Sequence, residues 1–129
     1  MKKINQYDIN GNKTGYWEDY YSNGKLESKG NYLNGNRTGY WESYWDDGSL
    51  ICKGNYLNNK RTGYWEDYYS NGKLESKGNY LNNNRNGCWE VYYAKGNLAF
   101  KGNYVNGKRT NYWEWYTINA NIKSKQFFI

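Results

Sequence analysis

Histidine is missing from all 129 residues, which removes the commonest general base and the commonest metal ligand. Proline is missing as well, so the turns must be read from the 15 Gly and the many Asn, which recur at fixed offsets. Cysteine is reduced to Cys52 and Cys88, which fall at unrelated places in the pattern described below and give no disulfide framework. There is no Cys-x-x-Cys, no phosphate-cradling glycine loop and no nucleophile elbow. No apolar run approaches the length that crosses a membrane. The opening MKKINQYDINGN carries positive charge with no apolar stretch behind it, unlike a signal peptide. These absences lead us to expect a reduced, cytoplasmic chain without a transmembrane segment, not an enzyme, with no cofactor and no catalytic or metal site.

Aliphatic side chains are few and the mean hydropathy is −1.24, which on hydropathy alone suggests disorder. Aromatic residues argue otherwise. They make up 21% of the chain, with 17 Tyr and 7 Trp, and they are regularly spaced. Thr14–Asn34 returns letter for letter as Thr62–Asn82, 48 residues later, with looser versions at half that spacing. Trp17, Trp41, Trp65, Trp89 and Trp113 fall one every 24 residues. Such a period marks a repeat architecture. Units begin near residues 14, 38, 62, 86 and 110, after an opening half-unit at about 1–13 and before a cap at about 121–129, in a single repeat domain over 1–129. A net charge of +6 suits solubility and admits an acidic partner or nucleic acid.

Within a unit the local reading is strand, turn, strand, turn. Tyr16–Ser22 is aromatic-rich, as strands are. Asn23-Gly24 reads as a two-residue type I′ turn, which needs positive φ at both positions. A looser turn is expected over Leu33–Gly39. The tight turn sets the pairing: Tyr21 opposes Leu26, Tyr20 opposes Glu27, Asp19 opposes Ser28, Glu18 opposes Lys29 and Trp17 opposes Gly30. Alternation then puts Trp17, Asp19, Tyr21, Leu26, Ser28, Gly30 and Tyr32 on one face. Tyr16, Glu18, Tyr20, Ser22, Lys25, Glu27, Lys29 and Asn31 take the other.

On the first face each indole faces a glycine that leaves room for the ring, at Trp17/Gly30, Trp41/Gly54, Trp65/Gly78 and Trp89/Gly102. On the second face Glu and Lys pair across the strands. An isolated hairpin is marginal in water, so units must pair edge to edge. The expectation is therefore an all-β fold, tandem 24-residue β-hairpins forming one elongated, twisted antiparallel meander. The Trp column, Trp113 included, and the glycine column are its structural residues. Each buried indole is worth roughly 4–6 kcal/mol as an upper bound. Cys52 falls on the Trp face and Cys88 on the other, which separates them.

The unit Lys29–Leu50, KGNYLNGNRTGYWESYWDDGSL, resembles a MORN-type repeat in its bacterial variant form. The marks are Gly30 and Tyr32, the Asn-Gly-x-Arg/Lys-x-Gly turn, and a Trp followed by Tyr-Tyr-x-Asn-Gly-Lys-Leu. The resemblance runs from about Asn10 to Ile122. It implies stacked β-hairpins, an antitoxin- or immunity-like role, and, by its eukaryotic relatives, protein scaffolding or phospholipid binding. Cys88 in place of Tyr, Asn111 in place of Gly and Asn119-Ala120 in place of Asn23-Gly24 depart from the pattern, the last as a lost turn.

Glu18 and its copies recur in every unit opposite a Lys, whereas catalytic groups are singular, so they read as structural. Asp19 and Asp67 read as hydrogen-bonded across the strands to Ser28 and Ser76. Tyr, Ser, Gly and Asn with interspersed Trp and Arg form the palette of binding surfaces. Tyr20, Tyr44, Tyr68, Tyr92 and Tyr116 are candidate partner contacts. So are Arg37, Arg61, Arg85 and Arg109, a basic row expected along one edge with Lys13. The function expected is a protein-binding module that docks on a larger protein such as a toxin, nuclease or effector. An antitoxin, an immunity protein or a phage-type inhibitor of a nuclease defence system would fit. The alternative is single-stranded nucleic acid or anionic lipid held by a Tyr/Arg surface. A homodimer would also cover one face of the sheet. High Asn, Lys and Tyr usage with scarce Ala points to an AT-rich genome, bacterial or phage.

Overall fold

A computed structural model describes residues 3–129; Met1 and Lys2 of the expected opening half-unit lie outside the described residues. The strands are β1 (Gln6–Tyr7), β2 (Lys13–Tyr20), β3 (Leu26–Leu33), β4 (Asn36–Tyr44), β5 (Leu50–Leu57) and β6 (Lys60–Tyr68). They continue as β7 (Leu74–Leu81), β8 (Asn84–Tyr92), β9 (Leu98–Val105), β10 (Lys108–Tyr116) and β11 (Ile122–Phe128). All eleven lie in one antiparallel sheet in chain order, with no helix among the described residues.

The two turn types are exchanged relative to the sequence expectation. The connection read as loose is the tight one. Asn34 and Gly35 take φ 52° and 78°, Asn58 and Asn59 48° and 69°, and Leu33 pairs directly with Asn36. These are two-residue loops with both centres left-handed. At Asn23-Gly24 only Gly24 has positive φ, 87°. There Tyr21 C=O accepts from Gly24 N–H at 2.9 Å, and Tyr21 N–H donates to Lys25 C=O at 2.8 Å, a three-residue loop closed by a glycine bulge. The same loop closes at Asp47-Gly48 and Lys95-Gly96, and at Asn23 the side chain adds two bonds to it. Its Oδ1 accepts Lys25 N–H and its Nδ2 donates to Asp46 C=O in the next unit, both at 2.9 Å.

The extra loop residue is absorbed at once. Tyr20 pairs with Leu26, but Asp19 pairs with Ser28, so Glu27 bulges and the expected register resumes through Glu18/Lys29 and Trp17/Gly30. Leu26 consequently stands across from Tyr20 rather than Tyr21. A second irregularity separates the units, at Gly39, Gly63 and Gly87, with φ of 69°, 69° and 85°. Asn111 takes the same role at φ 62°, so this departure from the pattern keeps its backbone.

The turn at Asn119-Ala120 is likewise retained rather than lost. Ala120 N–H donates to Thr117 C=O at 2.9 Å, with Ala120 at φ 69°. An L side chain there costs about 1 kcal/mol. Ala120→Gly is therefore expected to stabilise the last hairpin by about that amount, seen as slower native-state hydrogen exchange in β11. Unchanged or faster exchange would refute it.

The five indoles line one face, and Trp65, Trp89 and Trp113 are at most 1% exposed. They alternate edge-to-face with Tyr7, Tyr32, Tyr56, Tyr80, Tyr104 and finally Phe128, at centroid spacings of 4.9–6.4 Å. Quadrupoles favour this geometry. The indole N–H groups of Trp41, Trp65, Trp89 and Trp113 donate to the backbone carbonyls of Asn31, Asn55, Asn79 and Asn103 at 2.9–3.2 Å.

The glycine contact differs from expectation in one respect. Each ring covers the glycine of the preceding hairpin, Trp41 over Gly30 through Trp113 over Gly102, where a Cβ would lie 2.1–2.3 Å from the ring. The charge pairs make the same step. Lys29 reaches Glu42, Lys53 Glu66, Lys77 Glu90 and Lys101 Glu114, at 3.4–3.8 Å. Every Gly/Lys strand is flanked by Trp/Glu strands on both sides, so pairing computed within one hairpin sees only half the neighbours. These contacts therefore join units rather than close hairpins.

The sheet ends differently at its two edges. Beyond the short β1, the Asn5 side chain stands in for a strand: its Oδ1 accepts Glu18 N–H at 2.8 Å and its Nδ2 donates to Glu18 C=O at 2.9 Å. The far edge, β11, carries Lys123 and Lys125, charges that discourage further strand pairing.

Candidate functional site

Strand alternation gives the sheet two surfaces of different chemistry. On the Glu/Lys face stand two tyrosine columns. The first is the expected one, and Tyr20 is exposed while Tyr44, Tyr68, Tyr92 and Tyr116 are half-buried. These phenols are engaged. Tyr20 donates to Glu18 at 3.1 Å, Tyr68 to Glu66 at 2.7 Å, and Tyr92 and Tyr116 to Glu90 and Glu114. The second column was not singled out from the sequence, although alternation from Tyr16 places it on this face. Here Tyr40, Tyr64 and Tyr112 are 50%, 49% and 71% exposed. Between successive members, over the Gly-Asn pairs of β3, β7 and β9, lie shallow depressions of about 230–260 Å³.

Burial, then hydrogen bonding to Glu66, pushes the Tyr64 phenol up to about 12, and the same causes raise Tyr68. Burial and Glu90 raise Tyr92. Raised folded values mean that these phenols stay protonated after their unfolded counterparts, near 10, have ionised. Their stabilisation is complete below pH 10 and is lost as pH climbs toward the folded values. Urea midpoints should therefore fall between pH 9.5 and 11.5, and fall less in a Tyr64→Phe/Tyr68→Phe variant. Equal losses in both proteins would show the linkage to be absent.

The arginine row runs along the margin of the sheet beside the two-residue turns, each Arg being the second residue of its strand. It lies on the Trp face, stacked on the aromatic column. The guanidinium of Arg37 sits 4.1 Å from the Tyr56 centroid, Arg61 4.0 Å from Trp65, Arg85 4.4 Å from Trp89 and Arg109 5.2 Å from Trp113. Lys13 lies 4.6 Å over Trp17. Each cation–π contact is worth about 0.5–2 kcal/mol and shields a ring from water. The signal was present in the sequence, because Arg and Trp are four apart on a strand and so share a face. Tyr20 and its copies therefore occupy the face opposite the arginines, whose neighbouring tyrosines are Tyr56, Tyr80 and Tyr104.

Asp67 does pair across from Ser76, as expected, but its hydrogen bonds go to Arg61 instead, Nη1 to Oδ2 at 3.2 Å and Nη2 to Oδ1 at 3.3 Å. Burial works against the Arg61 charge, and Asp67 more than reverses that, so its pKa rises. Cys52 is buried on the Trp face and Cys88 is exposed on the other, both as free thiols, and burial pushes the Cys52 thiol up. No helix among the described residues is long and apolar enough to cross a membrane.

Compared with known families, the chain matches the model of the MORN repeat variant at residues 13–34, 37–58, 61–82 and 85–106. No curated protein matches the sequence.

Proposed function

The chain belongs to the MORN repeat variant family, repeats that generally bind proteins or membrane lipids, and we propose that it is a non-enzymatic module that docks on a larger protein through its tyrosine face. One observation carries this reading. Tyr40, Tyr64 and Tyr112 in one column and Tyr20 in the other, all 49–71% exposed, stand on a sheet whose own core lies on the other side. Rigid amphipathic rings at fixed spacing lose little entropy on binding. The Glu and Lys between them are paired with one another, so the face has little net charge to steer a polyanion. The finer proposal is an inhibitory partner: an antitoxin, an immunity protein or a phage-type inhibitor that covers the working surface of a toxin, nuclease or effector in the cytoplasm.

Affinity capture from the native cell tests it, with the wild type against a Tyr20→Ser/Tyr40→Ser/Tyr64→Ser/Tyr112→Ser variant. These positions are exposed, so the variant should fold. The wild type should retain one specific protein at stoichiometric amounts, the variant should release it, and its activity should fall when the wild type is added. Retention of no protein, or equal retention by both, counts against the docking face. A low-salt gel shift with single-stranded nucleic acid, or sedimentation with anionic vesicles in its place, would overturn it in favour of those ligands.

A further inference from the structure

The Trp face is crossed by a row in which Ser28, Ser43, Cys52 and Asp67 stand consecutively across from one another. Further along, the row turns apolar, with Val91, Phe100 and Trp115. Where two small serines are adjacent, a depression of about 250 Å³ opens beside Arg37, walled by Tyr21, Tyr32 and Trp41. Glu27 and Ile51 complete its lining.

The next repeat has the same arrangement with the space occupied. Arg61 stands in the place of Arg37, Tyr80 in that of Tyr56, and Asp67 in that of Ser43. Asp67 takes Nη1 and Nη2 of Arg61 in two parallel bonds. Arg37 keeps the bond to the tyrosine, stacks on Tyr56 where Arg61 lies over Trp65, and gives its Nε to an asparagine. Its Nη1 donates to Tyr56 Oη at 2.9 Å and its Nε to Asn59 Oδ1 at 2.7 Å. It has no carboxylate partner, since among the described residues Arg61 is the one arginine in an ion pair. Arg85 and Arg109 have Val91 and Trp115 at the position of Ser43, so neither offers the same polar opening.

We infer that the depression beside Arg37 is a receptor for a carboxylate supplied by a partner protein, an Asp or Glu side chain gripped by the guanidinium fork and the hydroxyls of Ser28 and Ser43. The chain itself shows the chemistry that belongs there, because one repeat later it supplies that carboxylate from its own sequence. A planar carboxylate matches the fork in two parallel bonds. Glu27 in the lining disfavours phosphate, which carries about 1.5–2 negative charges at neutral pH, more than a carboxylate does. The site lies on the face opposite the tyrosine ladder, so failure here leaves that docking surface untouched, and the reverse holds too.

The test is titration of the isotope-labelled full chain with N-acetylaspartic acid amide, followed by the Arg37 Nε–H and Ser43 amide resonances, with acetamide as the neutral control and inorganic phosphate as competitor. The wild type should show a saturable shift at millimolar probe. Ser43→Asp, which copies the next repeat and should fold, must weaken it by about tenfold or more, because its own carboxylate takes the fork. Asp67→Ser should add a second response at Arg61. A linear or absent shift, a shift that survives in Ser43→Asp, or tighter binding of phosphate than of the probe would each overturn the assignment.

Discussion

Gly54→Ala should cost about 3–5 kcal/mol and divide the array in two. A Cβ at this position would lie 2.2 Å from Cδ2 and 2.4 Å from Cε2 of Trp65. The backbone cannot retreat, because Gly54 is held in the ladder on both sides, against Trp41 and Trp65. The flat ring is the part that must leave, and with it goes a side chain only 1% exposed. The cost is therefore that of deleting a buried Trp rather than of adding a methyl. Repeats touch only their neighbours, so the units on each side keep their own aromatic contacts. Urea unfolding should broaden into two steps, the N-terminal part melting first because the compact cluster of Trp89, Tyr104 and Trp113 lies beyond the break. A double-mutant cycle with Trp65→Leu provides the check. Once the indole is gone, the added methyl should cost less than about 1 kcal/mol. A full cost in both backgrounds would show that the ring is not the obstacle.

Trp89→Ala is expected to be nearly as damaging, again about 3–5 kcal/mol, and much worse than Trp17→Ala. The Trp89 ring is held between Tyr80 at 5.0 Å and Tyr104 at 6.4 Å, lies over Gly78, and is roofed by Arg85 at 4.4 Å. Its removal takes one of two stacking partners from each tyrosine, the indole from beneath Arg85 and the donor from the Asn79 carbonyl. Trp17 has Tyr7 and a two-residue strand on its outer side, and its loss frays an end that already has few contacts. Matched urea titrations of the two variants decide the point, and equal costs would contradict a core concentrated toward the C-terminal end.

The strands, the meander order and the single Trp face were legible because the repeat supplies the same information five times, and period two admits few alternatives. The register survived as well, though by a compensation that the letters do not display: a longer turn at Asn23-Gly24 and a bulge at Glu27 cancel. The exchange of turn types was hidden because Asn-Gly occurs at both connections, and the three-residue loop forms equally at Asp47-Gly48 and Lys95-Gly96, where no Asn marks it. The surface candidates fared less evenly. Tyr20 faces outward as expected, Tyr40, Tyr64 and Tyr112 are at least as exposed as the half-buried copies of Tyr20, and Arg61, Arg85 and Arg109 cover indoles while Arg37 lies over Tyr56.

Amino-acid order alone determined that this chain alternates strand and turn, that its indoles share a side, and that its glycines sit beneath rings, because all three follow from local backbone geometry and fixed spacing. Only the assembled sheet decided which neighbour each group meets. A strand has two flanks, and local sequence describes just one of them. The indole over the preceding glycine, the lysine reaching the following glutamate, and Arg37 left without the carboxylate that Arg61 possesses are all set by contacts between repeats, where side chains a full period apart compete for the same space.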